Sequence, residues 1–282
     1  MYPDTIPVNE GKSYWTDGDI FQNNPMCLIK TCLHQNYNIG MHSHEFYEIN
    51  IVLSGKGCHY IEKRRLEVNA GDVFVIPSEI RHGYIGDRLD VYHFLVRGDF
   101  LARYRNELDG TKGYKLLFDI EPYLRKSVGD KYFLHFNKEE LFYLRKEIEN
   151  IEKAEKKGEY TYMNVLSLSF FCRLCVEMYD SVVKNDVKKS DTDIIGILDY
   201  IHSNFSERIT VEKMARFVNM SKATFNRHFK RAVGTTPMEY VIGCRTKRAK
   251  ELIGQNAYTK AEIAQMCGFY DSSHLDKYLY NE

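Results

Sequence analysis

The segment H-S-H-E-F-Y-E, His42 to Glu48, sets two imidazoles and a carboxylate at even spacing. Side chains two or four residues apart on a β-strand share a face, so His42, His44 and Glu48 point together if the segment is extended. His82 closes a second stretch, G-D-V-F-V-I-P-S-E-I-R-H (Gly71 to His82), and can join them from another strand. Three imidazoles and one carboxylate form a mixed nitrogen and oxygen donor set, which suits a divalent metal such as Mn, Fe, Ni or Zn. The same four residues serve equally well as the polar lining of a ligand pocket, with Tyr60, Tyr84, Tyr92 and His93 as candidate neighbours. Aromatic rings beside a few polar groups suit stacking on a sugar face. The residue types leave both readings open.

The elements that must position these groups read as short strands from about Met26 to Gly98. Cys27 to Leu33, Phe46 to Leu53, Cys58 to Ile61, Val73 to Ile76 and Val91 to Val96 are rich in β-branched and aromatic residues. Turn signals fall between them at Asn38-Ile39-Gly40, Ser54-Gly55-Lys56-Gly57, Ala70-Gly71-Asp72 and Gly83. Closely spaced strands punctuated by glycine predict an antiparallel barrel or sandwich. From about Asp99 to Lys189 the pattern turns helical. Leu141, Leu144, Ile148 and Ile151 recur at steps of three and four, so one stripe faces a partner surface. Tyr160 to Val183 is apolar on more than one face and needs cover on two sides, from the barrel and a second subunit or from a bundle within the chain. The polar run Lys184 to Asp191 reads as a linker, after which Asp191 or Thr192 caps a helix carrying Ile194, Ile197, Leu198 and Ile201.

The chain has 282 residues, enough for two domains. Its formal net charge is zero, which by itself speaks against a nucleic-acid partner. The charge is unevenly spread, however. Lys222, Arg227, Lys230, Arg231, Arg245, Lys247, Arg248 and Lys250 face only Glu239 across the same stretch, a local excess of seven positive charges. A basic stripe of that kind is the footprint that phosphate binding needs. The seven cysteines have no framework spacing, and Cys172-x-x-Cys175 sits in an apolar helical run, so reduced thiols in a cytoplasmic protein are expected. No basic segment followed by an apolar one opens the sequence, so neither a secretory signal nor a membrane span is expected.

The basic stripe coincides with a layout that reads DNA. Thr210 caps a helix from Val211 to Val218, Asn219-Met220-Ser221 turns, and Ser221 caps a second helix from Lys222 to Val233. That second helix buries Phe225 and Phe229 and shows Lys222, Thr224, Asn226, Arg227, Lys230 and Arg231 on its other face, as a helix-turn-helix requires. Gly234 ends it, Pro237 opens a long helix to about Ile253, and the pattern repeats. Ala261 to Met266 forms a short helix, Cys267-Gly268-Phe269-Tyr270 turns, and Asp271 or Ser272 caps a last helix holding Leu275 and Leu279.

The runs Ile209 to Gly234, Thr236 to Val241, Arg248 to Ile253 and Glu262 to Leu279 resemble, in order and spacing, the AraC/XylS family of transcription regulators. The resemblance implies two reading helices about one DNA turn (~34 Å) apart on one face of the duplex. Lys222, Thr224, Asn226 and Arg227 would lie near bases or phosphates, with Asp271, Ser272 and Ser273 from the second helix and Lys277 on phosphate. Family members continue into a G-x-x-P-x-x-Y-like segment, whereas this sequence ends at Glu282, which predicts either a less stable second unit or a truncated C-terminus. The N-terminal stretch resembles the two cupin motifs, H-x-H-x3-E-x6-G and G-x5-P-x4-H. The expectation is therefore an α+β multidomain protein: a cupin-like antiparallel β-barrel sensor (residues 1–108), a helical dimerisation section and linker (109–189), and an all-α double helix-turn-helix domain (190–282). By resemblance its partners would be double-stranded DNA, a sugar-like effector, RNA polymerase and a second copy of itself. The rival reading, a metal-dependent cupin enzyme, leaves Ile209 to Leu279 without a purpose.

Overall fold

The computed structural model describes residues 13–21, 27–33, 36–78, 80–122, 134–184, 189–254 and 256–279. The chain divides into two compact units, Met1–Asp186 and Val187–Glu282. The first is built around a bent, mainly antiparallel eight-stranded sheet. Its strands are β1 (Tyr14–Trp15), β2 (Cys27–Leu33), β3 (Asn36–His44), β4 (Tyr47–Ile61), β5 (Arg64–Asn69), β6 (Asp72–Ile76), β7 (His82–Val96) and β8 (Leu134–His135). β4 and β7, fifteen residues each, pair with one another from end to end. The first half of β4 pairs with β6 and its second half with β5, while the two halves of β7 pair with β3 and β2. Each long strand thus changes its outer partner halfway along, which is how an antiparallel sheet curls toward a barrel. Val52, Val68, Phe74, Ile76, Tyr84, Leu89 and Val91, drawn from four strands, form an apolar cluster inside.

Several expected turns are strand. Phe46–Leu53 and Cys58–Ile61 merge into β4, Gly83 lies within β7, and Asn38-Ile39-Gly40 lies within β3, where the register shifts before His42. The sequence Ser54-Gly55-Lys56 is a bulge in place of a hairpin. Val52 pairs with Val91, Ser54 with Asp90 and Lys56 with Asp87, so each long strand carries one extra residue there. Gly55 makes this possible. Its φ is +80°, and a Cβ would lie 2.1 Å from the carbonyl oxygen of Arg88, a contact no other residue could tolerate.

The outer face of the sheet is covered by helices. Two helices, α4 (Lys138–Lys156) and α5 (Tyr160–Lys184), follow α1 (Asp17–Ile20), α2 (Gly98–Arg103), α3 (Arg105–Gly110) and a π-turn at Leu116–Ile120. Asn137 caps α4 in a full capping box with Glu140, and Leu141, Leu144, Ile148 and Ile151 are buried as their spacing predicts. From α5, Phe170 stacks on Phe94 at 5.1 Å, and Phe171 meets Phe94 and Phe100 edge-on. The expected linker is shorter than its polarity implied. α5 runs through Lys184 and the next helix, α6 (Lys189–Asn204), begins before Asp191 and Thr192, the expected caps; residues 185–188 lie outside the described set.

The second unit is all helix after α6: α7 (Val211–Phe217), α8 (Lys222–Val233), α9 (Pro237–Gly254), α10 (Lys260–Met266) and α11 (Ser272–Leu279). Its two helical pairs repeat one another bond for bond. The Met220 amide donates to Ala215 O at 2.9 Å, and Phe269 to Ala264 O at 2.9 Å, each after a residue with positive φ, Asn219 (+55°) and Gly268 (+76°). Gly268 is required by more than its φ, since a Cβ there would lie 2.4 Å from Ser206 O. α9 joins the pairs. Tyr240 packs edge-on against Phe229, while Ala249 and Leu252 pack with Ile263, Ala264, Cys267, Phe269 and Leu275. The buried Arg245 donates from Nε to Phe205 O (2.7 Å) and from Nη2 to Glu207 O (2.8 Å), tying α9 to the loop after α6.

Phe229→Ala removes a fully buried ring at the junction of α8 and α9. It should destabilise the second unit by about 3–5 kcal/mol. Calorimetry of the full chain should show a lowered transition for that unit and an unmoved one for Met1–Asp186; a shift of both would contradict the division into two units.

Candidate functional site

Inside the bent sheet the expected histidines converge on one carboxylate. Glu48 is buried, with His44 Nε2 3.1 Å and His82 Nε2 3.4 Å from its Oε2, and His93 Nδ1 donating to its Oε1 at 2.5 Å. His42, half-buried, completes the group: its ring centre is 4.2 Å from that of His82, and donor atoms of His42, Glu48 and His82 all lie within 4.8 Å of one another. Burial by itself raises the pKa of Glu48, but the charge and hydrogen bond of His93, with the imidazoles of His44 and His82 close by, outweigh it, so the carboxyl stays ionised well below its ordinary range. Burial pushes His82 down, and burial together with His82 pushes His42 down to about 4, so both imidazoles are neutral near pH 7.

The backbone fixes which nitrogen of each ring faces the carboxylate. His42 Nδ1 lies 2.9 Å from Gly40 O, His44 Nδ1 2.7 Å from Phe46 O, and His82 Nδ1 3.1 Å from Ile80 O. A neutral imidazole that donates from Nδ1 keeps a lone pair on Nε2. Consistently, the Nε2 atoms of His44 and His82 are buried without an aligned hydrogen-bond partner, although Glu48 is close. Lone pairs turned toward a carboxylate need a cation between them, and carbonyl-anchored imidazoles are how proteins present nitrogen to a metal. The four residues therefore fit a divalent transition metal.

Two of the four expected neighbours are here. Tyr84 and His93 share the inside face, and the Tyr84 hydroxyl accepts from Asn50 Nδ2 at 2.9 Å. Tyr60 and Tyr92 do not. Tyr60 packs with Cys58, Met41 and Ile85 on the opposite face, and Tyr92 lies toward Arg145, Glu149 and Glu152 of α4. Two residues were missed. Asn50 follows Glu48 at a spacing of two, a signal that the sequence did carry. His59, stacked between Phe74 (4.8 Å) and Tyr84 (4.5 Å), gave none. A surface depression lined by Gly55, Lys56, Asn69, Ala70 and Arg88 shares no residue with the cluster.

In the second unit the residues expected to meet DNA lie on two helices. On α8, Phe225, Phe229 and Val233 are buried while Lys222, Thr224, Arg227, Lys230 and Arg231 are exposed and Asn226 is half-buried. Ser221 caps the helix, accepting from Thr224 N at 3.2 Å, and Lys222 pairs with Glu212 of α7. On α11, Asp271, Ser273 and Lys277 are exposed and Ser272 is half-buried. Asp271 is the cap, its Oδ1 accepting from His274 N at 2.7 Å, so one of its oxygens is already engaged.

Comparison with known proteins matches both halves. Residues 23–136 match the AraC-like ligand binding domain, and residues 214–281 match a helix-turn-helix domain. The HTH-type transcriptional activator RhaS of Enterobacter sp. (strain 638) is 25% identical over 237 residues, 83% of this chain and 81% of that protein. RhaS of Klebsiella pneumoniae (strain 342) is 24% identical over 237 residues, again 83% and 81%. Among solved structures, a transcriptional regulator from Chromobacterium violaceum described as AraC-type is 26% identical over 33% of this chain and 82% of that one, with a TM-score of 0.31. No helix among the described residues is long and apolar enough to cross a membrane. The relatives are transcriptional activators, which sets aside the enzyme alternative. With a cupin-like ligand-binding domain ahead of paired helix-turn-helix units, this chain belongs to the AraC/XylS family of DNA-binding transcription regulators.

Proposed function

We propose that the protein is an effector-controlled regulator whose signal is a small, oxygen-rich molecule, with a sugar as the leading class, bound inside the N-terminal sheet. The observation that carries this reading is the set of buried polar side chains on the inside face: His44, Glu48, Asn50, His59, His82 and His93, with His42 at its edge. Buried polar atoms are costly without a partner, and Nε2 of His44, Nε2 of His82 and Oδ1 of Asn50 face this space without one, which supports a bound polar molecule. The rings of Tyr84 and His59 supply apolar faces beside those donors and acceptors. A metal held by His42, His44, Glu48 and His82 would supply positive charge and coordination positions for hydroxyl or carboxylate oxygens.

Binding would alter how two DNA-binding units are presented to paired half-sites, which is a coupling free energy between two sites. A second copy of the chain fits the apolar face that α5 leaves open, where Tyr162 and Val165 are each 55% exposed. This reading keeps the expected divisions, residues 1–108 for sensing, 109–189 for dimerisation and 190–282 for DNA. It also keeps RNA polymerase as a partner and the cytoplasm as the place of action. The DNA contacts would come from Lys222, Thr224, Asn226, Arg227, Lys230 and Arg231, with Asp271, Ser272, Ser273 and Lys277 from the second reading helix.

A thermal-shift screen against mono- and disaccharides tests the effector. A sugar that binds the native state stabilises it by about 2.7 kcal/mol at a hundredfold excess over its Kd. The expected result is a shift with one sugar that also changes affinity for DNA; a full panel without a shift would remove the sugar class. For DNA, a site selected from a random pool serves as the probe. Arg227→Ala should weaken binding to it by about 1–3 kcal/mol and relax the preference at one position. Equal loss on all sequences would make Arg227 a phosphate contact.

A further inference from the structure

The contact between His93 and Glu48 lies outside the H-x-H-x3-E and G-x5-P-x4-H pattern that marks the other four residues, and it determines what the carboxylate can do. His93 projects from β7, eleven residues beyond His82, and its Nδ1 holds Oε1 of Glu48 at 2.5 Å. The other oxygen, Oε2, is the one that His44 Nε2 and His82 Nε2 approach, at 3.1 Å and 3.4 Å. Those separations fit donors sharing one ion. Two donors each about 2.1 Å from a metal lie about 3.0–3.4 Å apart at angles of roughly 90–109°. Donor atoms of the half-buried His42, of Glu48 and of His82 all lie within 4.8 Å of one another, so His42 borders the same space.

We propose that His93 is a positioning residue for metal binding: by engaging Oε1 it leaves Oε2 as the one carboxylate donor to a divalent transition metal that the Nε2 atoms of His42, His44 and His82 also hold. The proposal rests on the reading of this interior as the sensing site and adds to it a resident ion with a one-oxygen carboxylate ligand. Without the His93 bond the carboxylate can rotate and offer both oxygens to the ion, changing coordination number and leaving fewer positions for an incoming oxygen ligand. The backbone carbonyls of Gly40, Phe46 and Ile80 do for the three imidazoles what His93 does for the glutamate.

Cobalt(II) is the probe, because its visible spectrum reports coordination. The full chain is stripped with a chelator and titrated with Co(II), followed by absorption and calorimetry, with zinc as a competitor. The wild type should take up one equivalent, and Glu48→Gln and His82→Gln should each lose at least a hundredfold in affinity. His93→Leu should bind about 10–100-fold more weakly with a changed visible band. His93→Asn, which can keep an N–H toward Oε1, should restore most of both and guards against a leucine variant that fails to fold. A wild type that takes up no cobalt, or one whose uptake survives Glu48→Gln and His82→Gln, overturns the metal site. A folded His93→Leu matching the wild type in affinity and spectrum overturns the role of His93. Failure here is distinct from failure of the effector reading: a protein that refuses cobalt yet melts higher with a sugar refutes only the ion.

Discussion

A carboxylate taken out of water must be compensated, and the first unit is organised around meeting that demand for Glu48. Burying an ion of that size without partners costs several kcal/mol even after relaxation. Here the compensation comes from two other strands: His44 ends β3, just before Glu48 on β4, while His82 and His93 come from the two ends of β7. The β4–β7 pairing sets His93 beside Asn50 but His82 beside Ile61, and it is the β3–β7 pairing of His82 with His42 that returns that end to the carboxylate, so the polar interior depends on the curl of the sheet. The apolar cluster from Val52 to Val91 lies inside the sheet as well, and the aromatic contacts of Phe94 with Phe170 and Phe171 fix the outer face.

The second unit solves a different problem, that of presenting cations without losing a core. Phe225 and Phe229 anchor α8 and leave its charged residues exposed, and a matching turn geometry sets α11 on its partner helix. Between the two pairs, α9 buries residues along most of its length, and Arg245 is spent on backbone carbonyls, which removes it from the pool of phosphate contacts. The two reading helices differ in charge. α8 carries Lys222, Arg227, Lys230 and Arg231, whereas α11 carries Lys277 together with Asp276, which pairs with Lys260.

Where sequence reading succeeded and where it failed on the site has one cause. A strand alternates faces with a period of two, so parity counted from Glu48 and His82 selects Asn50 and Tyr84, and then Tyr60 and Tyr92. The bulge opposite Gly55 and Arg88 inserts one residue in each long strand, and an odd insertion moves every later side chain to the other face. Beyond it His59 and His93 turn inward, and Tyr60 and Tyr92 turn out. The glycine-rich run that makes the bulge reads locally as a turn, because the signal for both is a residue that tolerates positive φ.

The sequence by itself determined the helix-turn-helix units. Their caps, turn residues and apolar steps act within a few residues of one another, so boundaries such as Lys222–Val233 follow from local chemistry. It also brought out Glu48 and the three histidines His42, His44 and His82 near it, since their spacing within each segment survives folding. Only the tertiary structure decided which further side chains share that space, which nitrogen each imidazole presents, and that His93 engages Glu48. Those depend on pairing between strands far apart in the chain, where a one-residue slip reverses the face, and no local pattern encodes a long-range register.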